Sequence, residues 1–370
     1  MKILIIHASA GAGHTKAAEA LYNAVPKSTD IEALIVDALD YASPFYKKNY
    51  QKIYAVLVTK FPWAWGFFFW LVDLKFLRWT VRCLRRLVNH FNSKQLEHFL
   101  KTEQFDWVFS THFFSNEVVA ALKRKGVIYP KIVSVVTDFD VHSIWLAEGI
   151  DYYTAACDLT KKKLLSLGIP EGKILVSGIP TDKRFSQKKD KARLRRDLGL
   201  PENIFTVLVA TGSFGIGPIE EIIQTLEGFQ TVVVCGHNKA LYERLSRQSF
   251  QLAKVCPLVN NMDELMAASD CLITKPGGLS ISEALVSSLP LIFFNAIPGQ
   301  ETHNIQVLKH YGIGISGCSI AEMAAQLKKL SCSPELLREA QQNTRRLAKP
   351  GSVIEILNLI QRDYKKFIRA

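Results

Sequence analysis

Twice in this chain a short apolar run leads directly into a glycine-rich loop and then a helix-like run. Lys2 to His7 is strand-like, Ala8-Ser-Ala-Gly-Ala-Gly-His14 is the loop, and Thr15 to Val25 is helical in character. The pattern restarts with Phe205 to Ala210, Thr211-Gly-Ser-Phe-Gly-Ile-Gly217 and Pro218 to Leu226, with proline early in the helix. Strand-like runs follow the first loop at 31–36, 107–110, 132–137, 152–155 and 174–177, and the second at 231–235, 271–274 and 291–294. Helical runs separate them. Such alternation predicts an α/β fold with parallel, doubly wound sheets, and the restart predicts two of them. A chain of 370 residues can give each sheet its own core. The charged stretch 186–200, closed by Pro201, reads as a linker and the first helix of the second domain. Two such domains suggest a ligand cleft at the carboxyl ends of their strands.

A third glycine turn carries the most specific signal. Lys275-Pro-Gly-Gly278 follows the apolar run Cys271 to Thr274 and precedes a helical run, Leu279 to Ser288. Free N–H groups at a helix start favour a phosphate, so Gly277, Gly278 and Ser280 are candidate diphosphate contacts. Glu283 lies a helical turn further on, where a carboxylate suits ribose hydroxyls. Pro298-Gly-Gln-Glu-Thr-His-Asn304 follows the next strand-like run, and Gln300, Glu301 and Asn304 are candidate contacts to a sugar. The two segments together read as a sugar-nucleotide site. Gly212 and Ser213 read as helix-opening donors to the β-phosphate, or as a simple strand-to-helix turn. Cys235-Gly-His-Asn238 could line the same site or form a simple turn.

The charge points to a second partner. The net charge is +12, and most of it lies between residues 47 and 101, where eleven Lys or Arg face two acids. Within that stretch runs Phe61-Pro-Trp-Ala-Trp-Gly-Phe-Phe-Phe-Trp-Leu-Val72. Such a segment is too short to span a hydrocarbon core of about 30 Å as a helix. An aromatic wedge beside cations suits an anionic membrane surface, each cation contributing about 1 kcal/mol. Trp63, Trp65, Phe68 and Trp70 are the candidate wedge, with Arg82, Arg85 and Arg86 the cations. A buried aromatic core under a solvated basic face, or a nucleic-acid patch, are the alternatives. The seven cysteines show neither CxxC nor metal-ligand spacing and read as reduced residues, several in the core, of a cytoplasmic protein. The first apolar run is too short for a signal peptide and reads as a strand.

The chain resembles the monogalactosyldiacylglycerol synthases and processive diacylglycerol glucosyltransferases, a group of family 28-like glycosyltransferases. It is more distantly similar to the transferase that adds N-acetylglucosamine to lipid I. The resemblance rests on Gly11-Ala-Gly-His14, Thr137-Asp-Phe-Asp-Val-His142, Gly178-Ile-Pro180, Thr211-Gly-Ser213, Asn261 to Met266, Lys275-Pro-Gly-Gly278 with Glu283, and Pro298-Gly-Gln-Glu301 with Asn304. It implies a GT-B fold, a UDP-sugar donor, a diacylglycerol-type acceptor and inversion at the anomeric carbon. The division it suggests is 1–185 for the acceptor and membrane, 186–348 for the donor, and 349–370 as a helix returning to the first domain. UDP-glucose and UDP-galactose both remain open as donors, and so do one sugar or several.

His14 is the expected base. Its ring, with an ordinary pKa of about 6.5, can be neutral near pH 7, and a helix N-terminus favours the neutral form. Inversion needs such a group to take the acceptor's proton. In the resembled family the His of this loop is placed as that base; helix capping or a phosphate contact is the alternative. Gly13 is grouped with the donor contacts, and the Val259 backbone with the base of the nucleotide. Asp138 is expected to orient His14 by accepting its other N–H, as triad carboxylates do. His142 contacts the acceptor or caps a turn. Asp138-Phe-Asp140 spells DxD but is not taken as a metal site, because the donor features lie much later in the chain. The expectation is an enzyme with no cofactor, no metal and no nucleic-acid partner, on the inner face of a membrane. A lipid I-like acceptor, a UDP-sugar epimerase, and a lipid- or nucleic-acid-binding protein without activity are the alternatives.

Overall fold

In the computed structural model of the protein, the described residues are 1–9, 11–27, 29–43, 47, 49, 53, 56–57, 60–73, 80, 92–294, 296–317 and 319–369, without the side chains of 62, 68, 69 and 364–369. They form two compact units. The first holds Met1–Thr181, Ile297–Gln300 and Gly351–Ala370; the second holds Asp182–Ala296 and Glu301–Pro350. The division falls after Thr181 rather than 185, and four residues expected in the second domain pack with the first.

The first unit runs β1 (Lys2–His7), α1 (Ala12–Ala24), β2 (Glu32–Asp37), α2 (Pro62–Asp73), α3 (Lys94–Glu103), β3 (Trp107–Ser110), α4 (Phe113–Arg124), β4 (Lys131–Val135), β5 (Tyr152–Thr154), α5 (Asp158–Ser166) and β6 (Ile174–Leu175). Its strands are parallel in the order β2-β1-β3-β4-β5-β6. β1 explains its own place. Leu4 and Ile6 enter a layer with Val108, Val118 and Ile132. Ile3 and Ile5 enter the other, with Ala18, Leu21 and Phe109. Burial on both faces is what a central parallel strand requires.

The second unit runs α6 (Lys191–Asp197), β7 (Thr206–Ala210), α7 (Ile219–Thr225), β8 (Gln230–Val234), α8 (Lys239–Ser246), β9 (Ala253–Cys256), α9 (Met262–Ala268), β10 (Cys271–Thr274), α10 (Gly278–Val286), β11 (Leu291–Phe293), α11 (Gln300–His310), α12 (Ile320–Cys332) and α13 (Pro334–Leu347). Its sheet is parallel, in the order β11-β10-β7-β8-β9. β9 has no counterpart among the expected strands, because Ala-Lys-Val-Cys is an edge with an exposed lysine rather than an apolar run. The charged stretch 186–200 is more than a linker. Arg195 of α6 is buried, with Nη2 2.6 Å from Asp270 Oδ2, and that oxygen also accepts from the Thr206 N–H at the start of β7. Cys157, Cys235, Cys256 and Cys271 are buried and free, whereas Cys332 is exposed.

The last helix, α14 (Ser352–Arg369), packs on the first unit. Val353, Ile356 and Leu359 join the layer of Ile3 and Ile5. Asp363 accepts from Tyr152 Oη and pairs with Lys131 at 3.1 Å.

Each sheet has one place where the chain reverses its order of strands: between β1 and β3 in the first, between β7 and β10 in the second. Loops at the carboxyl ends of such strands splay apart and leave a crevice, the usual ligand position in an open parallel sheet.

Candidate functional site

The first crevice is occupied by His14. α1 begins at Ala12 with Gly11 as its N-cap, so the helix starts three residues earlier than the sequence suggests. Gly13 and His14 therefore belong to the first helical turn instead of the loop. His14 Nδ1 lies 2.7 Å from the carbonyl oxygen of Thr111, just past β3, and 3.0 Å from Thr137 Oγ1, just past β4. A carbonyl can only accept, so Nδ1 carries the proton and Nε2 holds the free lone pair. Among the described residues Nε2 has no hydrogen-bond partner. Thr111 grips the turn from both sides, since its hydroxyl donates to the His14 carbonyl at 2.9 Å.

Burial pushes the His14 pKa down to about 4; the Thr111 carbonyl opposes this, and nearby His7 adds to it. The residue keeps part of its surface open. His112 packs edge-on against it, with ring centroids 4.7 Å apart, and burial also holds His112 well below the usual value. His112 Nδ1 accepts from the Phe114 N–H and so caps α4. His7 is lowered by burial too, against the attraction of Asp37, and sits 3.3 Å from Thr15 Oγ1.

Asp138 does not take the His14 N–H; the Thr111 carbonyl occupies that role. Instead Asp138 accepts from Trp145 Nε1 at 3.2 Å and from Gln300 Nε2 at 2.7 Å. Trp145 in turn lies 6.0 Å from the His14 ring. Gln300 groups with the first unit by its contacts and bonds Asp138 there. His142 is buried and caps a short helical turn, Ser143–Trp145, by accepting from the Ile144 N–H. Its Nε2 lies 3.9 Å from Asp73 at the end of α2, which gives it a structural function. Thr111, His112 and Trp145 were not legible as site residues. The available signal was a polar pair, Thr111-His112, just past a buried strand.

The second crevice is flanked by the loops after β7 and β10. Gly212 and Ser213 do not open a helix, since α7 starts only at Ile219. They lie in a loop in which Gly212 has φ +81° and Gly215 φ +54°. An added Cβ at Gly215 would sit 2.2 Å from the Cys235 carbonyl oxygen, so glycine is required where this loop meets the one after β8. His237 N–H donates to the Ser213 carbonyl at 2.8 Å, and Asn238 Nδ2 to the Gly215 carbonyl at 3.1 Å. Cys235-Gly-His-Asn238 is therefore a brace for the loop.

After β10, Gly277 caps α10, and the first N–H groups of that helix have no partner within it. The space in front is open: a Cβ at Gly277 would meet nothing within 4 Å. Ser280 and Glu283, three residues apart, share one half-buried helix face. Asn304 is fully buried, and its Nδ2 holds the Pro276 carbonyl at 3.0 Å. That bond shapes the turn before α10. Lys275 has its pKa lowered by burial, with Glu301 opposing. Val259 is half-buried on the loop after β9.

On α2 the rings separate by face. Trp63, Phe67 and Trp70 are 71%, 53% and 57% exposed and fall four and three residues apart, forming one apolar stripe. Trp65 is half-buried and does not belong to it. The Phe68 side chain and Arg82, Arg85 and Arg86 lie outside the described residues. No helix among the described residues is long and apolar enough to cross a membrane. Among the same residues no group of three or more His, Cys, Asp or Glu is placed to hold a metal ion.

Two doubly wound sheets, each with its glycine turn at the point of strand reversal, make the GT-B fold. The solved structure of Acinetobacter baumannii MurG matches with a TM-score of 0.62 at 14% identity, covering 98% of this chain and 99% of that one. The UDP-GlcNAc 2-epimerase of Neisseria meningitidis bound to UDP-GlcNAc matches with a TM-score of 0.61 at 13% identity, over 98% and 100% of the two chains. At such identities these likenesses concern the fold alone. Sequence carries the rest. The profile of monogalactosyldiacylglycerol (MGDG) synthase matches residues 14–181, and that of the glycosyltransferase family 28 C-terminal domain matches residues 206–348. A processive diacylglycerol beta-glucosyltransferase of Bacillus pumilus (strain SAFR-032) is 30% identical over 355 residues, 94% of this chain and 91% of that one. The chain belongs to this family of diacylglycerol glycosyltransferases.

Proposed function

We propose that the protein moves a hexose, glucose or galactose, from its UDP-sugar to diacylglycerol, with inversion at the anomeric carbon. The observation that carries the chemistry is the His14 tautomer: Nδ1–H is tied to the Thr111 carbonyl, and Nε2 is left as the base. The acceptor hydroxyl gives its proton to Nε2 as its oxygen attacks the anomeric carbon. The bond from that carbon to the β-phosphate oxygen breaks, and UDP leaves with the electron pair. An α-linked donor thus yields a β-linked glycolipid. The Thr111 carbonyl stabilises the imidazolium that forms, as a triad carboxylate would.

The second unit supplies the donor contacts. The open amides of α10 at Gly278 and Ser280, with Lys275, suit the diphosphate, and they favour the charge that builds on departing UDP. Glu283 suits the ribose hydroxyls, Glu301 a sugar hydroxyl and the Val259 backbone the uracil. The site uses no metal and no cofactor. The Trp63–Phe67–Trp70 stripe rests in an anionic membrane surface on the inner face, where the acceptor lipid lies.

The test is purified protein, diacylglycerol vesicles and a panel of UDP-sugars, with product mass and anomeric configuration read out. Hexosyl-diacylglycerol with a β linkage supports the proposal. Transfer to no lipid hydroxyl, or retention of configuration, overturns it. Loss of activity in chelator that a divalent metal restores overturns metal independence.

A further inference from the structure

The loop after β9 is one that its sheet hardly holds. β9 is an edge strand and pairs only with β8. Beyond it Leu258 and Asn260 are exposed, and Val259 is half-buried. Among the described residues, one hydrogen bond ties the backbone of 257–260 to another segment: Arg184 Nη1 donates to the Asn260 carbonyl at 3.2 Å.

Arg184 belongs to the stretch 182–189, which opens the second unit. Asp182 holds both its backbone and its guanidinium. One carboxylate oxygen accepts the Arg184 N–H at 2.9 Å, and the other pairs with Nη2 at 3.1 Å. Asp263, in the first turn of α9, is only 5% exposed and needs partners for its charge. It pairs with Lys189 at 3.1 Å and lies 3.8 Å from Arg184 Nη1. Lys189 also donates to the Arg184 carbonyl, which closes the stretch on itself. On its other side Phe185 is buried, and its carbonyl accepts from Ser287 Oγ at 3.3 Å, at the end of α10. A single stretch therefore bonds the loop after β9 and the start of α9 on one side, and α10 on the other.

We propose that Arg184 is a positioning residue for the nucleotide base: it holds the carbonyl next to Val259, and the stretch around it sets the spacing between that loop and α10. The proposal rests on the donor reading, in which the Val259 backbone meets the uracil and the α10 amides meet the diphosphate. Uracil offers a carbonyl acceptor at C4 where cytosine carries an amino donor, so a backbone held in one register favours one base over the other. A displaced Val259 loses that preference while the diphosphate contacts stay. Arg184 is half exposed, so its ion pair adds little to stability and the fold survives its loss.

Titration calorimetry on the full chain with UDP, CDP and inorganic pyrophosphate tests this. In Arg184→Ala the Kd for UDP rises roughly five- to tenfold, the size of one lost hydrogen bond to the base, while the values for CDP and pyrophosphate stay within about twofold of the parent's. In the transfer assay donor KM rises at unchanged kcat. Weakening of pyrophosphate in step with UDP makes Arg184 a phosphate contact and overturns the proposal. An unchanged preference for UDP over CDP overturns it too.

A second arm needs no nucleotide. Amide hydrogen exchange over 258–261 quickens in Arg184→Ala, with the thermal midpoint kept. Unaltered exchange overturns the proposal whatever the titrations show. A parent protein that binds neither UDP nor pyrophosphate removes the donor reading and the base role with it; quickened exchange in that case leaves Arg184 a structural brace only.

Discussion

The crevices of the two sheets are built alike and equipped differently. In the first, the turn after β1 leads straight into α1, and the third helical residue is His14. Thr111, His112 and Trp145 surround it, and the Thr111 carbonyl fixes its tautomer. In the second, the turn after β10 leads into α10, but what faces outward is bare backbone, with open space at Gly277 and at Gly212. One crevice presents a histidine nitrogen from a packed polar setting; the other presents helix-start N–H groups to open space. A glycine turn at a strand reversal therefore specifies a crevice, and the neighbours specify its chemistry.

The largest effect should come from removing the base. His14→Ala is expected to cut kcat by about 10²- to 10⁴-fold while UDP still raises the thermal midpoint, because general-base catalysis is lost and donor binding is not. Transfer at the parent rate would end the assignment. The converse change, Gly277→Val, puts a side chain into the open space. Donor KM should rise roughly tenfold, about 1.4 kcal/mol, with the His14 pH profile unchanged. If donor KM stays put, the second crevice is not the diphosphate site.

Next in size is the membrane stripe. Replacing Trp63, Phe67 and Trp70 together with serine should lower partitioning onto anionic vesicles at least about tenfold, since each buried ring is worth on the order of 1.5–3 kcal/mol. Transfer to a soluble short-chain acceptor should persist. Partitioning that ignores both the substitutions and added salt would remove the membrane role.

The smallest effect concerns pH. With its pKa lowered toward 4, His14 stays deprotonated well below 6.5. The acid limb of kcat/KM should therefore fall below pH 6.5. His112→Asn keeps a capping side chain but exposes the ring to water, and should move that limb upward. Stability follows the same sign. The unfolded histidine binds its proton near 6.5 and the folded one only near 4. The neutral buried ring thus contributes stability above pH 6.5, and that contribution is lost as pH falls from 6.5 toward 4. Urea midpoints measured across that interval check it.

Some of the site was legible because it is local. Gly277, Gly278, Ser280 and Glu283 are neighbours in sequence and in space, and a glycine turn before a helix has one consequence for its amides. His14 was legible for the same reason. For Gln300 and Asn304 the sequence shows only a polar group after a strand, whereas the structure shows their amides bonded to Asp138 and the Pro276 carbonyl. Gly212 and Ser213 were misplaced because the loop runs to Ile219 before a helix forms. The composition of the aromatic segment was legible, but the separation of Trp65 from Trp63 and Trp70 follows from how the helix is rotated on its support.

The sequence by itself determined two parallel doubly wound sheets, because strand and helix periodicities and the restart after Pro201 are local patterns. It also determined that a histidine and a glycine-rich turn stand at the starts of two helices. Only the tertiary structure decided which nitrogen of His14 is free. That depends on a carbonyl 97 residues away, brought close by the pairing of β1 with β3. Only the structure showed that Gln300 bonds Asp138, 162 residues away in the sequence. Hydrogen bonds of this kind are set by which strands lie side by side, and no local run of residues encodes that.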